Sequence, residues 1–174
     1  MALGNRRRLR VAISGASGMI GQALAAFLTA GGHEVLRLVR RATRETDEVA
    51  WDPAAGTIDS AALEGIDAAV HLSGKSLASW PWTEATKRAI WDSRIDSTRT
   101  LAGALARLRE PPRVLVSASA IGYYGDRGDE ELVESAEAGT GFLADLCQAW
   151  ETAARPAADA GIRVVNPRIG PVIT

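Results

Sequence analysis

The chain has 174 residues, 47% of them hydrophobic and 24% charged, which suits the core of one ordinary domain and hardly allows two. Twenty Lys and Arg against 21 Asp and Glu leave a formal charge of −1, excluding a basic nucleic-acid coat and an acidic disordered tail. One cysteine, Cys147, excludes a disulfide framework, and two histidines, His33 and His71, leave little for a metal centre. A reducing, cytoplasmic setting is expected, with no metal, no nucleic acid and no membrane as partner.

Arg6, Arg7, Arg8 and Arg10 precede an uncharged stretch over 11–32, the charge order of an export signal. Gly15, Ser17, Gly18 and Gly21 interrupt the continuous apolar helix that such a signal needs, so residues 1–8 read as a solvated tail. Strand then follows helix. The pattern predicts a strand over 9–14 and a helix over 18–30, with Ile20, Leu24, Phe27 and Leu28 on one face and Gly31-Gly32 at its end. A strand is predicted over 34–39, then a turn at Trp51-Asp52-Pro53 and a weak strand over 56–58. A short helix over 61–63 and an apolar strand over 68–72 come next. One long helix over 83–108 stops before Pro111-Pro112, with a buried strand over 113–117 behind it. A helix from 141 to about 154 and a strand over 162–165 complete the series. Pro156 is expected to break the helix, and Pro167 to remove a ladder donor at the end of an inner strand. This alternation implies an α/β fold, a doubly wound parallel sheet with helices on both faces.

The strongest chemical signal is Ser14-Gly15-Ala16-Ser17-Gly18-Met19-Ile20-Gly21, glycines at every third position between a strand and a helix. Gly15 allows the turn, Gly18 leaves room for a pyrophosphate, and Gly21 lets the helix pack closely. The helix start, with Ser17, Met19 and Ile20, offers free N–H groups to phosphate. The second strand then ends Leu38-Val39-Arg40-Arg41 without the acid that grips the ribose 2′-hydroxyl of NAD. Arg40 stands where a 2′-phosphate needs a cation, and Arg41 or Arg44 is placed to assist, so NADP(H) is expected rather than NAD. Gly74-Lys75-Ser76 imitates the end of a nucleoside-triphosphate loop, but its first glycine position is Ala69, inside a strand. Lys75 reads as solvated, and His71 as a hydrogen-bonded core residue. Trp51, Trp80, Trp82, Trp91 and Trp150 lack a regular spacing and read as packing residues or cleft rims.

Ser117-Ala118-Ser119-Ala120-Ile121-Gly122-Tyr123-Tyr124-Gly125 follows a strand. With the glycine loop, this block resembles the extended short-chain dehydrogenase/reductases. The chain is more narrowly similar to their atypical NAD-dependent epimerase/dehydratase-like branch, also linked by name to cell-division inhibitors. Leu72-Ser73-Gly74, Trp82-Thr83-Glu84, Asp92-Ser93-Arg94, residues 142–147 with Trp150-Glu151, and Arg168-Ile169-Gly170 carry the narrower match.

The resemblance implies a Rossmann domain binding NADP(H), with Leu72, Ser73, Gly74 and Ser117 added to the cofactor contacts. It also implies a smaller C-terminal substrate-binding portion, which this chain is expected to lack. The standard Tyr-x-x-x-Lys pair is matched here by Phe142 and Leu146, which can carry out no proton transfer. Ser119 remains to polarise a carbonyl or alkoxide. Tyr123 or Tyr124 either supplies a replacement acid or lines the nicotinamide pocket. The implied activity is oxidoreductase or epimerase chemistry on a small hydroxyl or carbonyl compound, the alternative being an NADP(H)-responsive regulatory protein. A homodimer through the helices at 83–108 and 141–154 is expected.

Overall fold

A computed structural model describes residues 7–78 and 81–172. Residues 1–6 of the expected tail, Trp80 and residues 173–174 lie outside the described residues. The chain runs through β1 (Arg10–Ser14), α1 (Met19–Ala30), β2 (Glu34–Val39), β3 (Glu48–Asp52) and β4 (Thr57–Ile58). A 3₁₀ turn (Ala61–Leu63), β5 (Ala68–His71), α2 (Glu84–Leu105), β6 (Val114–Ser117) and β7 (Ser119–Ala120) follow. A second 3₁₀ turn (Ile121–Tyr124) leads to α3 (Phe142–Ala153), α4 (Arg155–Asp159), β8 (Arg163–Val165) and β9 (Arg168–Ile169).

Seven strands form one sheet in the order β4-β3-β2-β1-β5-β6-β8, parallel except for the β3–β4 pair, and β7 pairs with β9 apart from it. The order reverses at β1, so the crevice beyond the carboxyl ends of β1 and β5 is where this topology binds ligands. The Leu36-Ala12-Ala69-Leu115-Val164 row runs across the sheet in register. It meets Leu101, Leu105 and Ala157 from α2 and α4 to form the main core. Helices α2 and α3 pack side by side.

Three expectations need correction. Trp51-Asp52 is not a turn. Both residues end β3, whose Glu48, Val49 and Ala50 pair with β2, and the turn begins at Pro53. The apolar stripe of α1 is not a core face. Gly21 is its one buried residue, and Phe27 is 76% exposed. Here α1 lies over β1 and β2 with Gly21 against the loop backbone and Leu24 and Leu28 only half-buried. The opposite face of the sheet is consequently covered only in part. Along the row Ile13-Val70-Val116-Val165, Ile13 is fully buried, the next two are half-buried, and Val165 is 40% exposed. Pro167 removes no inner-strand donor, because β8 is at the edge of the sheet and Pro167 follows it. Its carbonyl accepts from the Ser119 N–H at 2.9 Å.

Arg10 is likewise part of the fold. Its guanidinium donates to Glu34 and to the carbonyls of Ala62 and Glu64, while Arg7 pairs with Asp67 on the surface. Pro156 does break the helical run: α3 ends at Ala153, and the proline lies in the first turn of α4, where its missing N–H is harmless. Among the described residues no helix is long and apolar enough to cross a membrane, and no cluster of three or more His, Cys, Asp or Glu is placed to hold a metal ion.

Candidate functional site

The glycine loop closes tightly on the strand ends. Gly15 has φ +71°, and a Cβ there would lie 2.8 Å from the Leu72 carbonyl carbon. A Cβ on Gly21 would collide with the Gly15 carbonyl oxygen and lie 2.8 Å from the Ala16 Cα. Gly18 stands at the N-cap of α1 and provides no capping side chain, whereas Thr83 caps α2 by accepting from the Thr86 N–H at 3.1 Å. The first amides of α1 are therefore left for an anion.

This loop lines a cleft of about 1150 Å³. Of the residues expected at a cofactor, Gly15, Ser17, Gly18, Arg40, Arg41, Leu72, Ser73 and Gly74 line it. Met19 and Ile20 lie exposed at the start of α1 without lining it, and Gly21 is turned onto the loop. Ser117 is fully buried beside His71 in the sheet and does not reach the cleft. Trp51 also lines it, one of the tryptophans read as packing residues or cleft rims, while the sequence reading missed the α2 residues Asp92, Ser93, Asp96 and Ser97. The α2 set was detectable, because polar residues at i, i+1, i+4 and i+5 mark one face of a helix.

At the outer rim, Arg40 is exposed, and among the described residues no carboxylate lies within salt-bridge distance of it. Arg41 is differently placed. Its Nη2 donates to Glu48 Oε1 at 2.6 Å and its Nη1 to Oε2 at 2.8 Å. These bonds and the Arg44 N–H hold the Glu48 carboxyl down to about 2.

His71 ends β5 fully buried and does not itself line the cleft. Its Nδ1 lies 2.6 Å from Ser14 Oγ and its Nε2 3.1 Å from Ser97 Oγ, and the Trp51 ring meets it edge-on. Complete burial pushes the imidazole down to about 3, so it is neutral and structural. The Trp51 Nε1 is buried without a partner among the described residues.

The serine centre is built differently. Ser119 is 2% exposed, and its Oγ donates to Glu151 Oε1 at 2.6 Å. Arg168 donates to both oxygens of Glu151, at 2.9 and 3.1 Å, and to the Tyr124 hydroxyl at 2.9 Å. Its guanidinium lies 3.4 Å from the centroid of the Tyr123 ring. Hydrogen bonding to Glu151 raises the guanidinium's affinity for its proton. Ser119 and both tyrosines thus come together, though outside the cleft lining and tied into one network.

The helix phase at α3 also differs from the expected match. Leu146 is 2% exposed in the interior, and Phe142 packs against Trp82 and Trp91. The i, i+4 pair turned toward the serine block is Leu143 and Cys147: a Cβ on Gly122 would lie 3.2 Å from Leu143 Cβ and 3.9 Å from Cys147 Sγ. Neither phase presents a tyrosine or a lysine.

The sequence pattern of the NAD dependent epimerase/dehydratase family matches residues 11–172. The chain belongs to this family. It is 48% identical over 164 residues to epimerase family protein Mb2239 of Mycobacterium bovis, covering 94% of this chain and 54% of that protein. Among solved structures, the nucleoside-diphosphate sugar epimerase from Corynebacterium glutamicum superposes with a TM-score of 0.81 at 43% identity, covering 93% of this chain and 34% of that one. Human epimerase family protein SDR39U1, isoform 2, crystallised with NADPH, gives 0.79 at 31% identity, covering 92% and 53%. The chain spans about half the length of the curated relatives it matches.

The cleft fits the dinucleotide that this family's name implies. Gly15 lets the loop close onto the Leu72 backbone, the α1 amides are uncapped, and among the described residues Trp51 Nε1 is a donor without an acceptor. Gly15, Ser17 and Gly18 would hold the pyrophosphate, and the β2 end would hold the adenosine side.

Proposed function

We propose that this chain forms the NADP(H)-binding part of an oxidoreductase or epimerase acting on a small hydroxyl or carbonyl compound. One observation carries the cofactor preference: Arg40, at the end of β2, opens onto the cleft with no carboxylate to neutralise it among the described residues. A free guanidinium there suits a 2′-phosphate dianion. The NADPH bound to the human relative supports the same reading. The sugar-nucleotide epimerase from Corynebacterium favours a sugar-linked hydroxyl as the reacting group.

When bound, the nicotinamide supplies or takes up a hydride. The chain's own contribution is orientation: the glycine loop and the α1 amides fix the diphosphate, and Arg40 fixes the far ribose. A second reading is a cofactor-responsive binding protein without turnover. It is favoured by the Ser119 hydroxyl, which already donates to Glu151, and by the absence of tyrosine and lysine from the α3 face. Turnover by residues 1–174 alone is accordingly expected to be slight on either reading.

The test is Arg40→Ala, with both dinucleotides titrated by calorimetry. A charge-assisted contact of about 1.5–3 kcal/mol predicts a ten- to hundredfold loss for NADP+. NAD+ affinity should change less than about twofold, because it lacks the phosphate. Equal losses for both would contradict the assignment.

A further inference from the structure

Glu48 occupies an unexpected place for a site that accepts a 2′-phosphate. It opens β3 beside the end of β2, and it lines the same cleft as Arg40. A carboxylate beside the second strand is the device that reads an unphosphorylated ribose, by accepting from its 2′-hydroxyl. Left bare, the same charge would repel a phosphate dianion.

Here the carboxylate is covered. Arg41 spans both of its oxygens, and the side chain beneath is 2% exposed. The Arg44 N–H holds Oε2 at 2.8 Å from the other side. Arg37 stands 3.8 Å from Oε1, but its own guanidinium is committed to Asp47 at 2.8 and 3.0 Å. We propose that Arg41 is a cap on Glu48 rather than a phosphate ligand, and that the capped pair sets the choice between phosphorylated and unphosphorylated ribose. This rests on the 2′-phosphate reading given above.

Two features favour a cap. Arg41 would have to break two charge-assisted bonds to meet a phosphate, and its Nη1 also donates to the Ala42 carbonyl at 2.9 Å. Among the described residues Arg40 has no such bond to break. Once uncapped, Glu48 would still be held by the Arg44 amide, with its second oxygen turned to the ribose. Arg41 thereby becomes a positioning residue that acts through Glu48.

The probes are adenosine 2′,5′-bisphosphate and 5′-AMP, titrated calorimetrically into the wild type, Arg41→Met, Glu48→Gln and the double variant. Arg41→Met should weaken the bisphosphate about tenfold and tighten 5′-AMP a few-fold, because an exposed carboxylate repels one ligand and accepts from the other. Removing that charge in the double variant should return the bisphosphate to within about threefold of wild type. A double variant as weak as Arg41→Met, with 5′-AMP unmoved, overturns the cap and makes Arg41 a direct ligand. If Arg41→Met does not fold, Glu48→Gln decides: the cap requires bisphosphate binding at least as tight as wild type, and a tenfold loss overturns it. Wild-type protein that binds both probes alike sinks the 2′-phosphate reading itself, and the cap with it.

Discussion

The two regions at the carboxyl ends of the strands treat their polar groups in opposite ways. Around the glycine loop, donors are left over: the uncapped amides of α1, the Arg40 guanidinium and the Trp51 indole N–H. Around Ser119, they are used up. Serine, glutamate, arginine and tyrosine satisfy one another within 2.6–3.1 Å. Surplus donors beside an open cleft are what a polyanionic ligand requires. A closed network rigidifies its neighbourhood and offers little to a substrate until something opens it. The family's serine block thus reads in this chain as a brace joining β7, α3 and β9.

The largest effect that tests this contrast is at Gly18. Gly18→Val places a branched side chain over the uncapped amides, and dinucleotide affinity should fall well over tenfold while the melting temperature holds. Unchanged binding would show that the loop serves packing alone. The converse experiment is Arg168→Ala. Glu151 then loses its cation in a nearly buried site, and unfolding by urea should show about 3 kcal/mol of lost stability, with cofactor binding within about twofold of wild type. A large binding loss with little destabilisation would move the network from brace to binding site.

A smaller effect concerns pH. His71 has its affinity for protons lowered to about 3 in the fold, against 6.5 for the ordinary residue. The unfolded chain therefore binds the extra proton first, and stability is lost as pH falls from about 6.5 towards 3. The slope is at most about 1.4 kcal/mol per pH unit. Glu48, also lowered, adds its own loss in the same direction only below about 4.5. Between pH 6.5 and 4.5, His71→Gln should flatten the wild-type slope measured by denaturant titration, and an unchanged slope would assign the acid sensitivity elsewhere. Thr83→Ala is the smallest test, removing the α2 cap for about 1 kcal/mol without touching either site.

The sequence reading succeeded where local chemistry decides. Gly31-Gly32 stopped α1 and the third-residue glycines marked the loop, whereas α2 stops at Leu105, short of the expected 108 and ahead of the double proline. It failed where a partner decides. β3 was invisible because Glu48-Val49-Ala50 looks ordinary until β2 pairs with it. The pairing of Arg41 with Glu48 was equally hidden, because nothing local announces that Glu48 will grip it. Which face of α3 meets the serine block was also hidden, since Phe142 and Leu143 are equally apolar and only the contact with Gly122 separates them. Ser119 could be picked out as a chemical residue, but its hydrogen bond to Glu151 spans 32 positions.

The partly covered sheet face has a thermodynamic consequence. Val70, Val116 and Val165 meet water to differing degrees in the folded chain, so unfolding exposes less new apolar surface than the length suggests. Proteins of 174 residues ordinarily unfold with a heat-capacity increment of about 2.1–2.6 kcal/mol/K. This chain should fall short of that range, with a correspondingly shallow dependence on denaturant. Its stability curve is then flatter, changing less with temperature than that of a domain whose sheet is wrapped on both sides.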